Sequence, residues 1–215
     1  MTLDTGIFQQ LEDTIARVVR ERWVPAEDHV EETGEVPENI IDEMKELGLF
    51  GLTVPEEYGG LGLNTEEEAR LMFEVGKAAP AFRSVFGTTI GIGSQGLVMD
   101  GTEEQKQKYL PQLAAGDIIG SFCLTEPNAG SDAKAVQTTA ILDGNEYVLN
   151  GTKRYITNAP RAGLYTVYAR TNPSDKNASG VSAILVEAGT DGMTTGKTDK
   201  KICLLYTSDA ADDTC

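Results

Sequence analysis

The sequence has few cysteines and histidines, and this shortage argues against two classes of protein. Its 215 residues include three cysteines and one histidine. Cys123, Cys203 and Cys215 are odd in number and show no Cys-x-x-Cys spacing, which argues against a disulfide framework. His29 alone cannot complete a histidine and cysteine ligand set for zinc. We therefore expect neither a disulfide scaffold nor a metal site.

Positive charge is scarce as well. The chain carries 18 lysines and arginines against 34 acidic residues, a formal net charge of −16 at pH 7. Such a chain repels phosphate groups, so we expect neither nucleic acid nor a membrane surface as a partner. The sequence also contains no apolar run near the roughly 20 residues that span a bilayer.

The first residues lack the features of a targeting segment. Residues 1–8 contain no basic stretch followed by an apolar one, and Asp4, Glu12 and Asp13 are acidic, which a transit peptide avoids. The sequence thus predicts a soluble, cytoplasmic protein.

Charge and periodicity divide the chain near residue 117. Of the 16 excess negative charges, 14 fall in residues 1–117. Apolar residues there recur at helical spacing: Phe8, Leu11, Ile15, Val18 and Val19, then Ile40, Ile41, Met44 and Leu47. Asn64 and Thr102 stand where the N-caps of further helices are expected. We predict that residues 1–117 form an all-helical domain.

Residues 118–201 follow a strand-like pattern instead. The predicted strands are residues 147–149, 164–169 and 181–186. Asp143-Gly144 and Asn150-Gly151 are both type I′ hairpin signals, so residues 137–158 are predicted to form an antiparallel meander. Because strands follow the helices rather than alternate with them, we predict an N-terminal all-α helical domain joined to an antiparallel β-barrel domain, which is incomplete in this chain.

One glycine-rich run resembles a nucleotide-binding motif without its context. Gly91-Ile-Gly93-Ser-Gln-Gly96 fits the Gly-x-Gly-x-x-Gly pattern, with Asp117 near the spacing of a ribose contact. Only four residues separate Gly96 from Gly101, too few for the helix that would hold a pyrophosphate. We interpret the run as a buried helix or bend packed closely against a neighbour.

His29 is a separate case. We interpret it as a solvated surface residue.

The segment from Ser121 to Asp132 is richer in chemical information. It places a short strand before a turn in which Pro127 fixes φ and Gly130 permits close approach of a ligand. The hydroxyls of Thr125 and Ser131 can donate to heteroatoms or phosphate oxygens. The same residue types occur in ordinary turns between strands, and composition alone favours an ordinary turn.

Several runs together resemble one enzyme family. They are Leu124-Thr-Glu-Pro-Asn-Ala-Gly-Ser-Asp132, Asn150-Gly-Thr-Lys-Arg-Tyr-Ile-Thr-Asn158 and Tyr168-Ala-Arg170, with residues 46–62 and 101–111 upstream. In this order they resemble the acyl-CoA dehydrogenase family of flavoproteins, over residues 1 to about 201. The resemblance implies a helical domain, a β-barrel domain and, in the family, a further C-terminal four-helix domain.

The resemblance also implies an FAD site. The residues it assigns to the cofactor are Phe122, Cys123, Leu124, Thr125, Gly130, Ser131, Tyr155, Ile156 and Thr157. Leu124 and Thr125 would face the pyrimidine edge of the flavin, Thr157 would hydrogen-bond flavin N5, and Tyr155 would flank the ring. Ser131 would also reach the acyl-CoA substrate. Donors at these positions suit a flavin that gains negative charge on reduction.

The implied reaction is α,β-dehydrogenation of an acyl-CoA thioester. In the family the catalytic base belongs to the C-terminal domain, so no catalytic residue is assigned here and the chain is expected to be inactive alone. Glu126, which precedes Pro127, is expected to cap local amides. The implied partners are acyl-CoA, an electron-transfer flavoprotein and, at full length, further copies of the chain in a dimer or tetramer.

Two other interpretations remain open from the sequence. The chain could be a non-catalytic module that binds flavin or acyl-CoA, or an interaction protein that keeps the fold without using the site. Residues 202–215 match nothing expected of the family, and we interpret them as a non-native tail that follows a truncated middle domain.

Overall fold

The computed structural model describes residues 4–201 and 204–210. Its contacts divide the chain into two compact units. The first comprises residues 4–119 with 200, 201, 204 and 205, and the second comprises 120–199 with 206–210. Within these described ranges, no helix is long and apolar enough to cross a membrane.

The first unit is helical. Its helices are α1 (Thr5–Val18), α2 (Glu27–Thr33), α3 (Glu38–Glu46), α4 (Thr65–Val75), α5 (Pro80–Thr88), α6 (Gln95–Asp100) and α7 (Glu103–Ala115). Asn64 and Thr102 cap α4 and α7 through reciprocal capping boxes with Glu67 and Gln105. The two predicted N-caps are therefore confirmed, because capping depends on side chains only three residues apart.

Aromatic residues fill the core of this unit. Trp23 is fully buried and stacks on Phe82 with ring centroids 5.5 Å apart, and Phe50 meets Phe86 edge-on at 6.3 Å. The apolar positions predicted for α3 turn inward together: Ile40, Ile41 and Met44 are all buried.

The glycine-rich run forms a bend between helices. Residues Thr89–Gly93 form a π-helical turn in which Gly91 leaves helical geometry at φ −97° and ψ −117°, and α6 follows at once. Thr53 Oγ1 donates to the Ile90 carbonyl at 2.5 Å, at the same bend. The prediction of a bend is confirmed. The prediction of close packing is wrong at Gly91 and Gly96, where an added Cβ would have no neighbour within 4 Å.

The second unit is built from strands. They are β1 (Gly120–Cys123), β2 (Thr139–Asp143), β3 (Glu146–Asn150), β4 (Lys153–Ile156), β5 (Leu164–Arg170), β6 (Val181–Glu187), β7 (Thr198–Lys201) and β8 (Leu204–Ala210). The larger sheet has the order β1-β5-β2-β3, with β6 also paired to β5. The smaller sheet contains β4, β7 and β8.

The larger sheet is mixed, so the antiparallel barrel predicted from the sequence is not confirmed. β1 runs parallel to β5, with Gly120 opposite Leu164, whereas β6 runs antiparallel to β5. Over the described residues the sheets do not close. Hairpin signals report only neighbouring strands. The parallel pairing of β1 with β5 joins segments about forty residues apart and leaves no such signal.

The predicted meander fails at its second turn. Asp143-Gly144 does form a hairpin between β2 and β3, with Asp143 opposite Glu146. After Asn150 the chain turns away, and β4 pairs antiparallel with β8, Lys153 opposite Ala210. At Gly151, φ is 157° and an added Cβ would lie 2.4 Å from Thr138 Oγ1. This glycine thus serves a close crossing of the backbone instead of a tight turn.

Seven residues of the expected non-native tail lie outside the described residues, namely 202, 203 and 211–215. The remaining ones, Leu204–Ala210, form β8.

Arg170, at the end of β5, is a buried cation that ties two loops to the larger sheet. Its guanidinium donates to the carbonyls of Lys134 at 2.7 Å, Val136 at 3.3 Å and Asn177 at 3.2 Å, and also to the carbonyl of Asp175. The planar guanidinium presents five donors in a fixed arrangement, which suits several carbonyls at once.

Replacing Arg170 with methionine is therefore expected to lower the free energy of unfolding of the second unit by roughly 2–3 kcal/mol, because buried carbonyls lose their donors. Urea unfolding followed by circular dichroism measures the change. Arg20→Met serves as the control, because the Arg20 side chain is 70% exposed. Equal effects of the two substitutions would contradict the proposed role of Arg170.

Candidate functional site

The two segments singled out in the sequence lie side by side in the second unit. Ser121 Oγ donates to the Thr157 carbonyl at 2.6 Å, and the Arg154 amide donates to the Thr125 carbonyl at 2.8 Å. Lys153 Nζ donates to the Leu124 carbonyl at 3.2 Å. The end of β1 is thereby held against β4 and the turn that follows it.

The candidate residues divide between two faces. Cys123 and Ile156 are buried in one apolar cluster with Ala159, Ala162 and Tyr165. Their side chains thus face the interior, and only their backbone is available to a ligand on the other side. Phe122, Leu124, Thr125 and Thr157 are half-buried, and Tyr155 is 51% exposed.

Three hydroxyls in the two segments have no hydrogen-bond partner within the described part of the chain. Thr125, Ser131 and Thr157 use none of their side-chain oxygens in a hydrogen bond to the residues that the structure describes. Gly130 and Ser131 are both exposed, and a Cβ at Gly130 would have no neighbour within 4 Å. The space beside this glycine is therefore open to a ligand instead of being filled by the protein.

The end of β4 and the turn that follows it have an unusual backbone. Tyr155 and Asn158 have φ of 58° and 63°, in the left-handed region that residues other than glycine seldom adopt. The Asn158 carbonyl accepts from the amides of Arg161 and Ala162, both at 2.9 Å. The Arg154 guanidinium lies 4.9 Å from the centre of the Tyr155 ring. Strained backbone of this kind is concentrated at ligand sites, which makes this turn a candidate.

A buried ion pair beneath the two segments was not predicted as such. Glu126 and Lys153 are 2.8 Å apart, and their side chains are only 4% and 8% exposed. Glu126 also accepts from the amides of Gln137 and Thr138 at 2.7 and 2.9 Å and from the Thr138 hydroxyl at 2.5 Å. Glu126 accepts from amides, as expected, but the expectation that these amides are local is wrong, because they lie eleven and twelve residues along the chain.

Burial and hydrogen bonding shift the pKa values of Glu126 and Lys153 in opposite directions. Burial raises the pKa of the Glu126 carboxyl, but the hydrogen bonds from Lys153, Thr138 and the Gln137 amide outweigh it and leave that pKa below its ordinary value. Burial lowers the pKa of the Lys153 ammonium, and the bond and charge of Glu126 act against this. Burial is the larger effect at Lys153 and leaves its pKa below the ordinary value, while each group stabilises the ionised form of the other.

The second unit contains a cavity of about 460 Å³. Among its lining residues are Cys123, Ile156, Tyr165, Val186 and Met193. The cavity is mostly apolar and contains none of the free hydroxyls described above.

The two segments together carry an exposed aromatic ring, three hydroxyls without protein partners and a glycine with open space beside it. This set suits a flat, heteroatom-rich ligand that also carries phosphate groups. Elsewhere in the described residues, His29 is exposed, as predicted.

Comparison with protein families decides the relationship. Residues 8–117 match the model of the acyl-CoA dehydrogenase N-terminal domain, and residues 121–208 match the model of the middle domain. The chain belongs to the acyl-CoA dehydrogenase family. The resemblance stated from sequence motifs is thereby confirmed. The middle-domain match reaches residue 208 and so includes the first seven residues of the expected tail.

Individual relatives agree with this assignment. An acyl-CoA dehydrogenase of Bacillus subtilis (strain 168) is 40% identical over 185 residues, which are 86% of this chain and 48% of that protein. The chain thus spans about half the length of such relatives.

Two solved structures show the same fold. A structure described as an electron transferring flavoprotein of Acidaminococcus fermentans matches 97% of this chain and 55% of its own, with TM-score 0.88 and 36% identity. An acyl-CoA dehydrogenase of Bacillus anthracis complexed with FAD matches 98% of this chain and 37% of its own, with TM-score 0.83 and 34% identity. The fold is therefore that of acyl-CoA dehydrogenases, with a helical domain followed by a sheet domain.

Proposed function

We propose that this chain forms the helical and middle domains of an FAD-dependent enzyme that oxidises acyl-CoA thioesters between the α and β carbons. The observation that carries the proposal is the junction of residues 121–131 with residues 153–157, two adjacent segments that carry hydroxyls without protein partners and an exposed aromatic ring. Family membership and the FAD named for the Bacillus anthracis relative support the choice of cofactor.

The residues of this face fit a flavin. In the proposal the Thr157 hydroxyl donates to flavin N5, Thr125 and the Leu124 backbone hold the pyrimidine edge, and Tyr155 covers the ring. Phe122, with the backbone of Cys123 and Ile156, supports the same face. Gly130 and Ser131 lie toward the pyrophosphate, and Ser131 also contacts acyl-CoA. When bound, FAD would supply the acceptor for the hydride that leaves the β carbon.

The proposal assigns no catalytic base to this chain. Glu126 is unsuitable, because its oxygens already accept from Lys153, Thr138 and two amides and it is buried. We propose that the base belongs to the part of the family fold beyond the two matched domains, so that the chain alone binds cofactor without turnover. A non-catalytic flavin module is the alternative.

We further propose acyl-CoA as substrate, an electron-transfer flavoprotein as electron acceptor, and self-association of the full-length protein. The relationship to the Acidaminococcus fermentans structure, whose description names an electron transferring flavoprotein, supports the second of these.

Binding of FAD to the purified chain tests the proposal. Titration followed by quenching of flavin fluorescence should show saturable binding, and Thr157→Val should weaken it by roughly five- to thirtyfold, the equivalent of about 1–2 kcal/mol for one lost hydrogen bond. The matched control is Thr171→Val, since the Thr171 hydroxyl bonds only to Ser182 Oγ among the described contacts.

Two outcomes would contradict the assignment. Absence of FAD binding by the folded wild-type chain would contradict the assignment of FAD as cofactor. Equal affinities of Thr157→Val and wild type for FAD would contradict the role of Thr157. A full-length protein that contains these domains and binds FAD, but whose flavin is not reduced by acyl-CoA, would favour the non-catalytic module.

A further inference from the structure

Lys153 uses every donor that it has. A lysine ammonium carries three N–H groups, and here they go to the Leu124 carbonyl at 3.2 Å, Glu126 Oε1 at 2.8 Å and the Tyr168 carbonyl at 2.6 Å. One side chain from β4 is thus joined to the end of β1, to the loop after it and to β5.

The carboxylate extends this network in another direction. Glu126 holds the amides of Gln137 and Thr138, just before β2. Lys153 and Glu126 together therefore connect four segments of the second unit at one buried ion pair. These segments are β4, the loop after β1, β5 and the residues just before β2. The flavin-facing backbone proposed above, at Leu124 and Thr125, lies directly on this network.

Stability alone does not account for such a pair. Removing two charges from water costs about as much as their attraction returns, and well-packed apolar residues often serve equally well. What an apolar pair cannot supply is a donor to the Leu124 carbonyl. The pair is therefore better explained by the backbone geometry that it imposes.

We propose that Glu126 and Lys153 are positioning residues for the cofactor, which set the backbone of Leu124 and Thr125 at the face that holds the flavin. This inference rests on the proposed function. Neither residue touches the ligand in it. They act through the Leu124 carbonyl and through the adjacent contact between the Arg154 amide and the Thr125 carbonyl.

The test compares a single variant with a double variant. Lys153→Met leaves the Glu126 carboxylate buried without its cation, and the chain should be destabilised. Glu126→Gln/Lys153→Met removes both charges. The glutamine oxygen can still accept from the Thr138 amide in place of Oε1, although the Gln137 amide, which bonds to Oε2, loses its acceptor. Thermal unfolding without FAD should therefore return toward wild type in the double variant.

The double variant should regain thermal stability without regaining affinity for FAD. Because both variants lack the Lys153 ammonium that donates to the Leu124 carbonyl, both should bind FAD at least about tenfold more weakly than wild type, as measured by fluorescence quenching well below their melting temperatures. Hydrogen exchange without FAD adds an independent readout: the Arg154 amide should exchange at least about tenfold faster in both variants.

Arg170→Met is the matched control, because it removes another buried cation of the same unit whose partners are the carbonyls of residues 134, 136, 175 and 177. It should lose stability yet bind FAD within about twofold of wild type. This separates a loss of cofactor binding from general destabilisation.

The outcomes distinguish the inference from the proposed function. Recovery of FAD affinity together with stability in the double variant, or unchanged exchange of the Arg154 amide, would overturn the positioning role while leaving the FAD site in place. A folded wild-type chain that binds no FAD would overturn the proposed function, and the inference with it.

Discussion

Trp23→Ala is expected to lower the free energy of unfolding of the helical unit by roughly 3–5 kcal/mol, the range for truncation of a large core aromatic residue. Trp23 is fully buried and stacks on Phe82 at an interplanar angle of 15°. Its removal leaves a cavity against a ring that cannot move into it without disturbing α5. Urea unfolding followed by far-ultraviolet circular dichroism measures the change.

Trp23→Phe is the matched control. Trp23 Nε1 is buried and has no hydrogen-bond partner among the described residues, so phenylalanine keeps the ring stacking and removes an unsatisfied donor. This substitution should therefore cost much less than Trp23→Ala. Similar losses from both would show that the indole N–H, rather than the ring, is what the core requires.

The Cys123 thiol is expected to resist alkylation in the native protein. Burial raises its pKa to about 12, and the nearby charge of Lys153 only partly opposes this. The thiolate is the reactive form, and a pKa raised from 9.0 to about 12 lowers its population at pH 8 by roughly a thousandfold. Reaction with iodoacetamide should be slower by at least a hundredfold than in the unfolded chain.

Peptide mass spectrometry of the Cys123 peptide measures this rate in buffer and in urea, so that the same residue supplies its own control. Native labelling within tenfold of the unfolded rate would contradict the buried position of the thiol in the cluster with Ile156 and Tyr165. The measurement therefore also tests which way this candidate residue faces.

Much of the helical unit could be predicted because its signals are local. The caps at Asn64 and Thr102 and the inward face of α3 each depend on residues within one or two turns of helix. The hairpin at Asp143-Gly144 belongs to the same class. The second hairpin signal, Asn150-Gly151, gave a wrong prediction. Glycine is required at position 151 because Thr138, thirteen positions away, leaves no room for a Cβ there.

The candidate site was predicted unevenly. Sequence motifs placed it in residues 122–131 and 155–157, and the structure brings these segments together. The motifs did not show that Cys123 and Ile156 turn their side chains inward, because a strand's two faces are equivalent until a sheet covers one. One sequence signal for the buried ion pair was available: the charged residue Lys153 lies within the matched motif of residues 150–158.

The sequence by itself determined the helices α1, α3, α4 and α7, the N-caps of the last two, one hairpin and the family, because each of these is encoded in residues close together along the chain. Only the tertiary structure decided that β1 runs parallel to β5, that Glu126 and Lys153 share one buried point and that Arg170 joins distant loops. Such contacts depend on which segments meet when apolar surface is buried. A charged side chain is buried only where partners from distant segments pair with it, and these partners are not visible in the local sequence.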